Sequence, residues 1–315
     1  MDERGKQPLL ILAGPTAVGK TEISLSIAQA LHGEIVSCDS GQVFQGLNIG
    51  TAKIAPEDRR NIPHFGIDIV SPWSAFSVAD YQAYAKQVIA EIAGRGHLPI
   101  LVGGTGLWIR ALVQNYLFSP QNPELSRILR HHIRMIGDEH GWELIRELLK
   151  TVDPVSYEAI APQDHHRLTR ALEVFWSTGK PLPRTGHDSP YHVAYWVLTR
   201  PLRELHQRIE IRAEQMLAAG LADEVLALLK QGVPRKSQAL SAIGYRETVD
   251  WAYGLSSETE RNQLIILHTK QYAKRQLTWF RSEKMARWLD LSLFGTDRVI
   301  QQIVQHAQQT FHLSR

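Results

Sequence analysis

The chain has 315 residues, 43% of them hydrophobic and 21% charged, the balance of a globular protein long enough for one large domain or a core with an insertion. Its single cysteine, Cys38, excludes an internal disulfide framework. Residues 1–7 lack an apolar signal core, and no run of about 18 apolar residues occurs; a cytoplasmic protein with no membrane span is expected. A net charge of +3 selects no partner, so the placement of the positive charge has to.

Residues 8–13 (Pro-Leu-Leu-Ile-Leu-Ala) form a short apolar run of the kind that makes a buried parallel strand. It leads into Gly14-Pro15-Thr16-Ala17-Val18-Gly19-Lys20-Thr21, which fits G-x-x-x-x-G-K-[ST]. Ile23, Ile27, Ala30 and Leu31 then recur at helical spacing. Strand, glycine loop and helix in succession make a phosphate cradle. Gly14 and Gly19 let successive N–H groups point inward, and the helix N-terminus adds partial positive charge. Lys20 reaches the terminal phosphate, and the Thr21 hydroxyl is placed to ligate Mg²⁺. A diphosphate or polyphosphate ligand follows; the loop does not say which.

Residues 33–38 read as a second strand ending at Asp39-Ser40-Gly41-Gln42. Ligands in open α/β sheets bind beyond the carboxyl ends of strands, so Asp39 is expected beside the phosphate loop. Glycine-punctuated residues 46–53 form a loop over that site, and 64–70 a third strand. Ser77 caps a helix over 78–93 with Asp80 as its capping partner. Residues 97–102 make a strand ending in Gly103-Gly104-Thr105-Gly106. A motor ATPase would place an aspartate there for Mg²⁺; this chain offers a hydroxyl, and the acidic group sits at Asp39.

From 121 to 178 the pattern is helical, with helices over 123–137, 142–151 and 164–178, closed by the Pro- and Gly-rich stretch 180–186. Strand pattern returns at 191–198. The expected architecture is α/β: a P-loop NTPase-like core with a parallel sheet and flanking helices over 1–119 and 191–315, interrupted by an all-helical insertion over 120–190. Helices follow at 202–219 and 221–231, each stopped by glycine. A capping box, Ser257 to Glu260, opens a long helix to Phe280. An edge strand at 287–291 and an amphipathic tail helix complete the chain.

Fourteen histidines invite a metal, yet no His-Glu-x-x-His or Cys-x-x-Cys spacing occurs, and the pairs His131-His132 and His165-His166 point to different helix faces. Nothing like Gly-x-Ser-x-Gly supports a serine nucleophile. The basic residues are more informative. Lys270, Lys274, Arg275, Arg281, Lys284 and Arg287 stand against Glu283 alone, and Lys270, Lys274, Arg281 and Lys284 share one helical stripe. Tyr272, Trp279 and Phe280 interleave with them, and Arg167 with Arg170 makes a second basic pair. A solvated helix face and a surface for RNA phosphates and exposed bases both fit.

Gly14–Thr21 together with Val36-Ser37-Cys38-Asp39-Ser40, Asn48-Ile49-Gly50-Thr51-Ala52-Lys53, Leu101-Val102-Gly103-Gly104-Thr105-Gly106, Arg167-Leu168-Thr169-Arg170-Ala171-Leu172-Glu173-Val174, Ala242-Ile243-Gly244-Tyr245-Arg246-Glu247 and Lys274-Arg275-Gln276-Leu277-Thr278-Trp279-Phe280-Arg281 resemble, in that order, the tRNA dimethylallyltransferase family. The resemblance runs from Leu10 to Asp290. It implies transfer of a dimethylallyl group from dimethylallyl diphosphate to N6 of the adenosine 3′ to the anticodon, giving N6-dimethylallyladenosine and diphosphate. It also implies a cytoplasmic monomer using Mg²⁺, with an inserted helical domain that grips the anticodon stem-loop.

Residue by residue, the resemblance makes Asp39 the base that takes a proton from the adenine amino group, with Thr105 hydrogen-bonding near the reacting centre. Lys20 and the phosphate loop neutralise the leaving diphosphate, with Mg²⁺ on Thr21 and with Arg208 and Arg212 as further clamps. tRNA contacts are implied at Asp39, Ser40, Gly41, Gln42, Thr105, Arg127, His166, Arg167, Leu168, Thr169 and Arg170. Others are implied at Ser241, Ala242, Ile243, Gly244, Tyr245 and Arg246, and at Lys274, Arg275, Gln276, Leu277, Thr278, Trp279, Phe280 and Arg281. The chain departs from the common pattern at Gly41, Phe44, His165-His166 and Ser241.

Three rivals share the phosphate loop. A small-molecule kinase would use it on ATP, an adenylate dimethylallyltransferase would act on free nucleotide, and an RNA-binding P-loop protein would do no chemistry. The downstream blocks argue against the first, the insertion and basic helix against the second, and Asp39, Lys20 and Thr105 against the third.

Overall fold

The computed structural model describes residues 5–118, 122–183 and 188–313, so part of the expected closing stretch, 184–186, lies outside them. The chain divides into two compact units, Met1–Val113 with Ser189–Arg315, and Gln114–Asp188.

The first unit is built on one six-stranded sheet of β1 (Gln7–Ala13), β2 (Gly33–Cys38), β3 (His64–Phe65), β4 (Leu98–Gly103), β5 (Tyr191–Thr199) and β6 (Arg287–Asp290). Every pair is parallel, in the order β3-β2-β4-β1-β5-β6. β1 lies inside it, with Leu10 opposite Ile100 on one side and Ala194 on the other. Leu9, Ile11 and Ala13 pack into the core on one face and Leu10 and Leu12 into the core on the other. Burial on both faces is why this strand reads as an unbroken apolar run.

The helices divide between those two cores. α1 (Lys20–Leu31) meets one face with Ile23, Ile27 and Leu31. α2 (Val78–Gly94) and α3 (Gly106–Val113) pack on the opposite face. Ser77 closes the expected capping box with Asp80 at the start of α2. Residues 64–70, expected as a strand, pair only at His64–Phe65. Gly66 and Asp68 take left-handed φ of 76° and 56° and turn the chain, and a Cβ on Gly66 would lie 2.7 Å from the Ser37 carbonyl. Val70 rejoins only as a single bridge to Phe44.

The helical unit holds α4 (Pro123–His140), α5 (Trp142–Val152), α6 (Pro154–Ala159) and α7 (His165–Thr178). Asn122 and Asp164 cap α4 and α7 with side-chain oxygens. The unit has its own core of Ile133, Ile145, Leu149, Ile160, Leu168, Ala171 and Leu172.

Beyond it the first unit resumes with β5, α8 (Leu202–Ala218), α9 (Leu221–Lys230), α10 (Tyr245–Ala252), α11 (Glu258–Arg281), β6, α12 (Leu291–Phe294) and α13 (Thr296–Phe311). α13 joins α1 on one face. α8 and α11 feed both cores: Leu205 and Ile209 go to one and Ala213 to the other, as do Ala273 and Leu277 against Ile265 and Phe280. Among the described residues no helix is long and apolar enough to cross a membrane.

Candidate functional site

The phosphate loop joins β1 to α1 at the carboxyl edge of the sheet. A Cβ on Gly14 would stand 2.7 Å from the Leu198 carbonyl of β5, so only glycine lets the loop leave here. Lys20 opens α1 and donates from Nζ to the Gly14 and Pro15 carbonyls, 2.9 Å each. Burial lowers its pKa to about 8, with the Asp39 charge pulling the other way and Arg212 adding to the fall. Two arginines hold the loop from outside. Arg208 Nε donates to the Ala17 carbonyl at 2.8 Å and Arg200 Nε to the Val18 carbonyl at 3.0 Å. Arg200 has no marker in the sequence.

A cavity of about 1010 Å³ opens over this edge. Thr16, Ala17, Gly19, Lys20 and Thr21 line it from the phosphate loop; Pro15 and Val18 are buried behind. Asp39, Ser40, Gly41 and Gln42 face it from the end of β2, and Arg208 and Arg212 from α8. Residues 241–244 and Arg246 add a further wall, and α11 contributes His268, Tyr272, Arg275 and Gln276. The cavity therefore brings together the expected Asp39, Lys20, Thr21, Arg208 and Arg212.

Asp39 is held by its own loop: Oδ1 accepts the Gly41 and Gln42 N–H groups at 2.9 and 3.3 Å. Arg212, whose pKa burial lowers, feels the Asp39 charge as well and donates to the Thr51 carbonyl at 3.5 Å. Thr105, expected to hydrogen-bond near the reacting centre, bonds two residues of the cavity wall. It is not part of the cavity lining; its Oγ1 accepts the Ser40 N–H at 3.1 Å, and it hydrogen-bonds Tyr272, whose phenol burial pushes well above its ordinary pKa. Thr105 thus fixes the turn that carries Asp39.

The loop 46–53 is locked from below by a residue the sequence reading missed. The Glu224 carboxylate on α9 accepts the N–H groups of Asn48 at 3.0 Å, Ile49 at 3.0 Å and Gly50 at 3.5 Å, and takes the Tyr245 hydroxyl at 2.6 Å. Nothing in the local sequence of either segment announces this pairing. Lys53 completes the lock by donating to the Phe44 carbonyl and to Asp68, at 3.0 and 2.6 Å. The unusual Gly41 now has a reason, since a Cβ there would lie 2.9 Å from Thr51 Cγ2. Phe44 sits in the core at 1% exposure, where a tyrosine hydroxyl would need a partner.

Of the residues expected to touch tRNA, Leu277 and Phe280 of α11 and Tyr245 of α10 are buried, and Gln276 is buried on the cavity wall. Trp279 packs against Gly106 with the Arg110 guanidinium 4.2 Å from its ring. The exposed face of α11 carries Lys274, Arg275, Thr278 and Arg281. The expected stripe is shorter than read, because α11 ends at Arg281 before Lys284, and Lys270 is ion-paired with Glu210 at 2.5 Å. Arg246 is exposed beside the buried Glu247 at 2.8 Å, and Glu247 also takes His268 Nδ1 at 2.6 Å. The Ser241 hydroxyl donates to the Gln238 carbonyl at 2.6 Å, while Ala242, Ile243 and Gly244 remain on the cavity wall.

In the helical unit, Leu168 and Thr169 are buried; Leu168 belongs to its core, and the Thr169 hydroxyl donates to the His165 carbonyl at 2.7 Å. Arg127, His166 and Arg167 are exposed; Arg167 pairs with Asp164 at 3.2 Å, and Arg170 with the buried Glu173 at 2.8 Å. His165 stacks on Trp142, rings 3.9 Å apart and 6° from parallel.

Against known proteins, the model of the family described as IPP transferase matches residues 42–283. A tRNA dimethylallyltransferase of Symbiobacterium thermophilum is 45% identical over 291 residues, 91% of this chain and 90% of that one. One of Moorella thermoacetica is 42% identical over 322 residues, covering 98% of each. The crystal structure of the full-length tRNA isopentenylpyrophosphate transferase of Bacillus halodurans aligns with a TM-score of 0.74 at 37% identity, over 98% of this chain and 97% of the other. The family match begins past the phosphate loop, but the relatives align along nine-tenths or more of the sequence. This chain belongs to the IPP transferase family.

Proposed function

We propose that the chain transfers a dimethylallyl group from dimethylallyl diphosphate to N6 of the adenosine 3′ to the anticodon in tRNA, in the cytoplasm. What carries this reading is that Asp39 and the phosphate loop face one cavity. An adenine amino group is a weak nucleophile because its lone pair is delocalised into the ring. As N6 bonds to C1 of the dimethylallyl group, its proton passes to Asp39, whose Oδ1 is already engaged by two amides. The C1–O bond breaks and the electron pair leaves with diphosphate, where the loop amides, Lys20 and Arg212 offset the growing negative charge.

Mg²⁺ suits the same place. Thr21 is exposed at the start of α1 on the cavity wall, and its hydroxyl is a hard oxygen donor for an ion that keeps several waters and takes substrate phosphates. Bound there, it would supply further charge neutralisation to the leaving group. For the acceptor, Lys274, Arg275 and Arg281 on α11 and Arg127, His166 and Arg167 on the helical unit offer exposed groups to tRNA phosphates. The test is nucleoside analysis of an unmodified tRNA transcript incubated with the protein, dimethylallyl diphosphate and Mg²⁺. The expected product is N6-dimethylallyladenosine at one position. RNA-stimulated ATP hydrolysis without a prenylated nucleoside overturns the proposal, and so does prenylation of AMP as readily as of tRNA.

A further inference from the structure

Gln276 of α11 is 6% exposed, and both ends of its amide are used. Oε1 accepts the N–H of Thr16 in the phosphate loop at 2.9 Å, and Nε2 donates to the Gly104 carbonyl at the end of β4 at 3.0 Å. The bridge stands where the sheet no longer sets the geometry. β1 and β4 are paired as far as Ala13 opposite Gly103, and Thr16 and Gly104 lie just past that last pair. The contact is close: a Cβ on residue 104 would come within 2.2 Å of Gln276 Nε2. From Gly104 the connection continues through Thr105, whose Oγ1 takes the Ser40 N–H, to the neighbouring Asp39. One turn further along α11, Trp279 closes on Gly106, so Thr105 is pinned on both sides by one helix.

We propose that Gln276 is a positioning residue that sets the phosphate loop at a fixed distance from the Thr105–Asp39 edge, and so aligns leaving group and base. This rests on the reaction proposed above. A buried amide is costly unless both ends are bonded, and an apolar side chain of similar volume would fill the space without the bridge; what the amide adds is register. On the cavity wall, both ends of its amide are engaged by the two loops. Displacement of a reacting group by about 1 Å costs on the order of a hundredfold in rate, so a side chain that only holds two loops apart is felt in kcat.

The variants are Gln276→Met, which keeps volume and removes both bonds, and Gln276→Asn, which keeps the amide but is one methylene short. The readouts are thermal midpoint, Kd for inorganic diphosphate, Kd for tRNA, and kcat. Both variants are expected to lower kcat about 10- to 100-fold and to weaken diphosphate binding up to about tenfold, with tRNA affinity held within about twofold. Should Gln276→Met not fold, Gln276→Asn carries the test alone. Variants whose kcat and diphosphate affinity match the wild type overturn the proposal. So does a loss confined to tRNA affinity, the result if Gln276 met tRNA directly. A wild-type protein that binds diphosphate yet prenylates no tRNA overturns the reaction instead, and the bridge is then judged on diphosphate binding alone.

Discussion

At the scale of single residues, Asp39 and Lys20 test the proposed chemistry and the proposed binding separately. Asp39→Asn keeps an Oδ1 acceptor for the Gly41 and Gln42 amides and therefore the turn, but loses the carboxylate proposed to take the proton. Its rate is expected to fall by about 10²–10⁴ with donor binding nearly unchanged; a fully active Asp39→Asn would mean the base lies elsewhere. Lys20 predicts a pH dependence. Burial lowers its pKa to about 8, so it loses its charge as pH rises through that value, and an anionic ligand binds worse on the alkaline side. Inorganic diphosphate Kd is expected to be flat up to about pH 7.5 and to rise up to about tenfold per pH unit above 8. Calorimetry across that range decides it, and a Kd flat to pH 9.5 would remove Lys20 from the anion site. The sequence announced these two residues because glycine spacing and strand ends are local features. It had no means to announce Glu224 or Arg200, whose partners in the two loops lie 174–176 and 182 positions away.

At the scale of elements, α11 shows what residue type alone conceals. Ala273, Gln276, Leu277 and Phe280 fall at offsets of three, four and seven and make the buried stripe. The interleaved Lys274, Arg275, Thr278 and Arg281 face solvent. Phe280 and Trp279 therefore pack inward, where aromatic residues among basic ones had suggested a base-stacking surface. The resemblance marked the whole block, 274–281, without dividing its two faces. The third strand is shorter than its pattern for a related reason: the apolar alternation through Phe65, Ile67 and Ile69 ignores the turn imposed at Gly66. The charge that α11 exposes yields a third prediction. Replacing both Lys274 and Arg281 with alanine should flatten the plot of log tRNA affinity against log salt by about 0.7–0.9 per lost phosphate contact, leaving diphosphate affinity alone. Lys270→Ala, whose ammonium already pairs with Glu210, should change the slope less. Equal slopes for wild type and double variant would take α11 out of the RNA interface.

For the whole molecule, the decisive feature is that the helical unit carries a core of its own among the described residues, Ile133, Ile145, Leu149, Ile160, Leu168, Ala171 and Leu172. Stability can therefore be removed from one without emptying the other. Leu172 is fully buried in the helical core beside Ile133 and Leu168, and Leu172→Ala should cost that unit about 2–5 kcal/mol. The phosphate loop, Asp39, Arg208 and Arg212 all belong to the sheet unit, so diphosphate affinity and its alkaline loss should stay as in the wild type. tRNA affinity should fall, because Arg127, His166 and Arg167 sit on helices that the variant loosens, and thermal unfolding should gain a separate lower transition. Leu12→Ala is the opposite control. Leu12 is fully buried in the strand that leads into the phosphate loop, so that variant should lose diphosphate and tRNA modification together. If Leu172→Ala weakens diphosphate binding as much as tRNA binding, the two cores are not independent. If it modifies tRNA at the wild-type rate with its lower transition plainly present, the helical unit does not grip the acceptor.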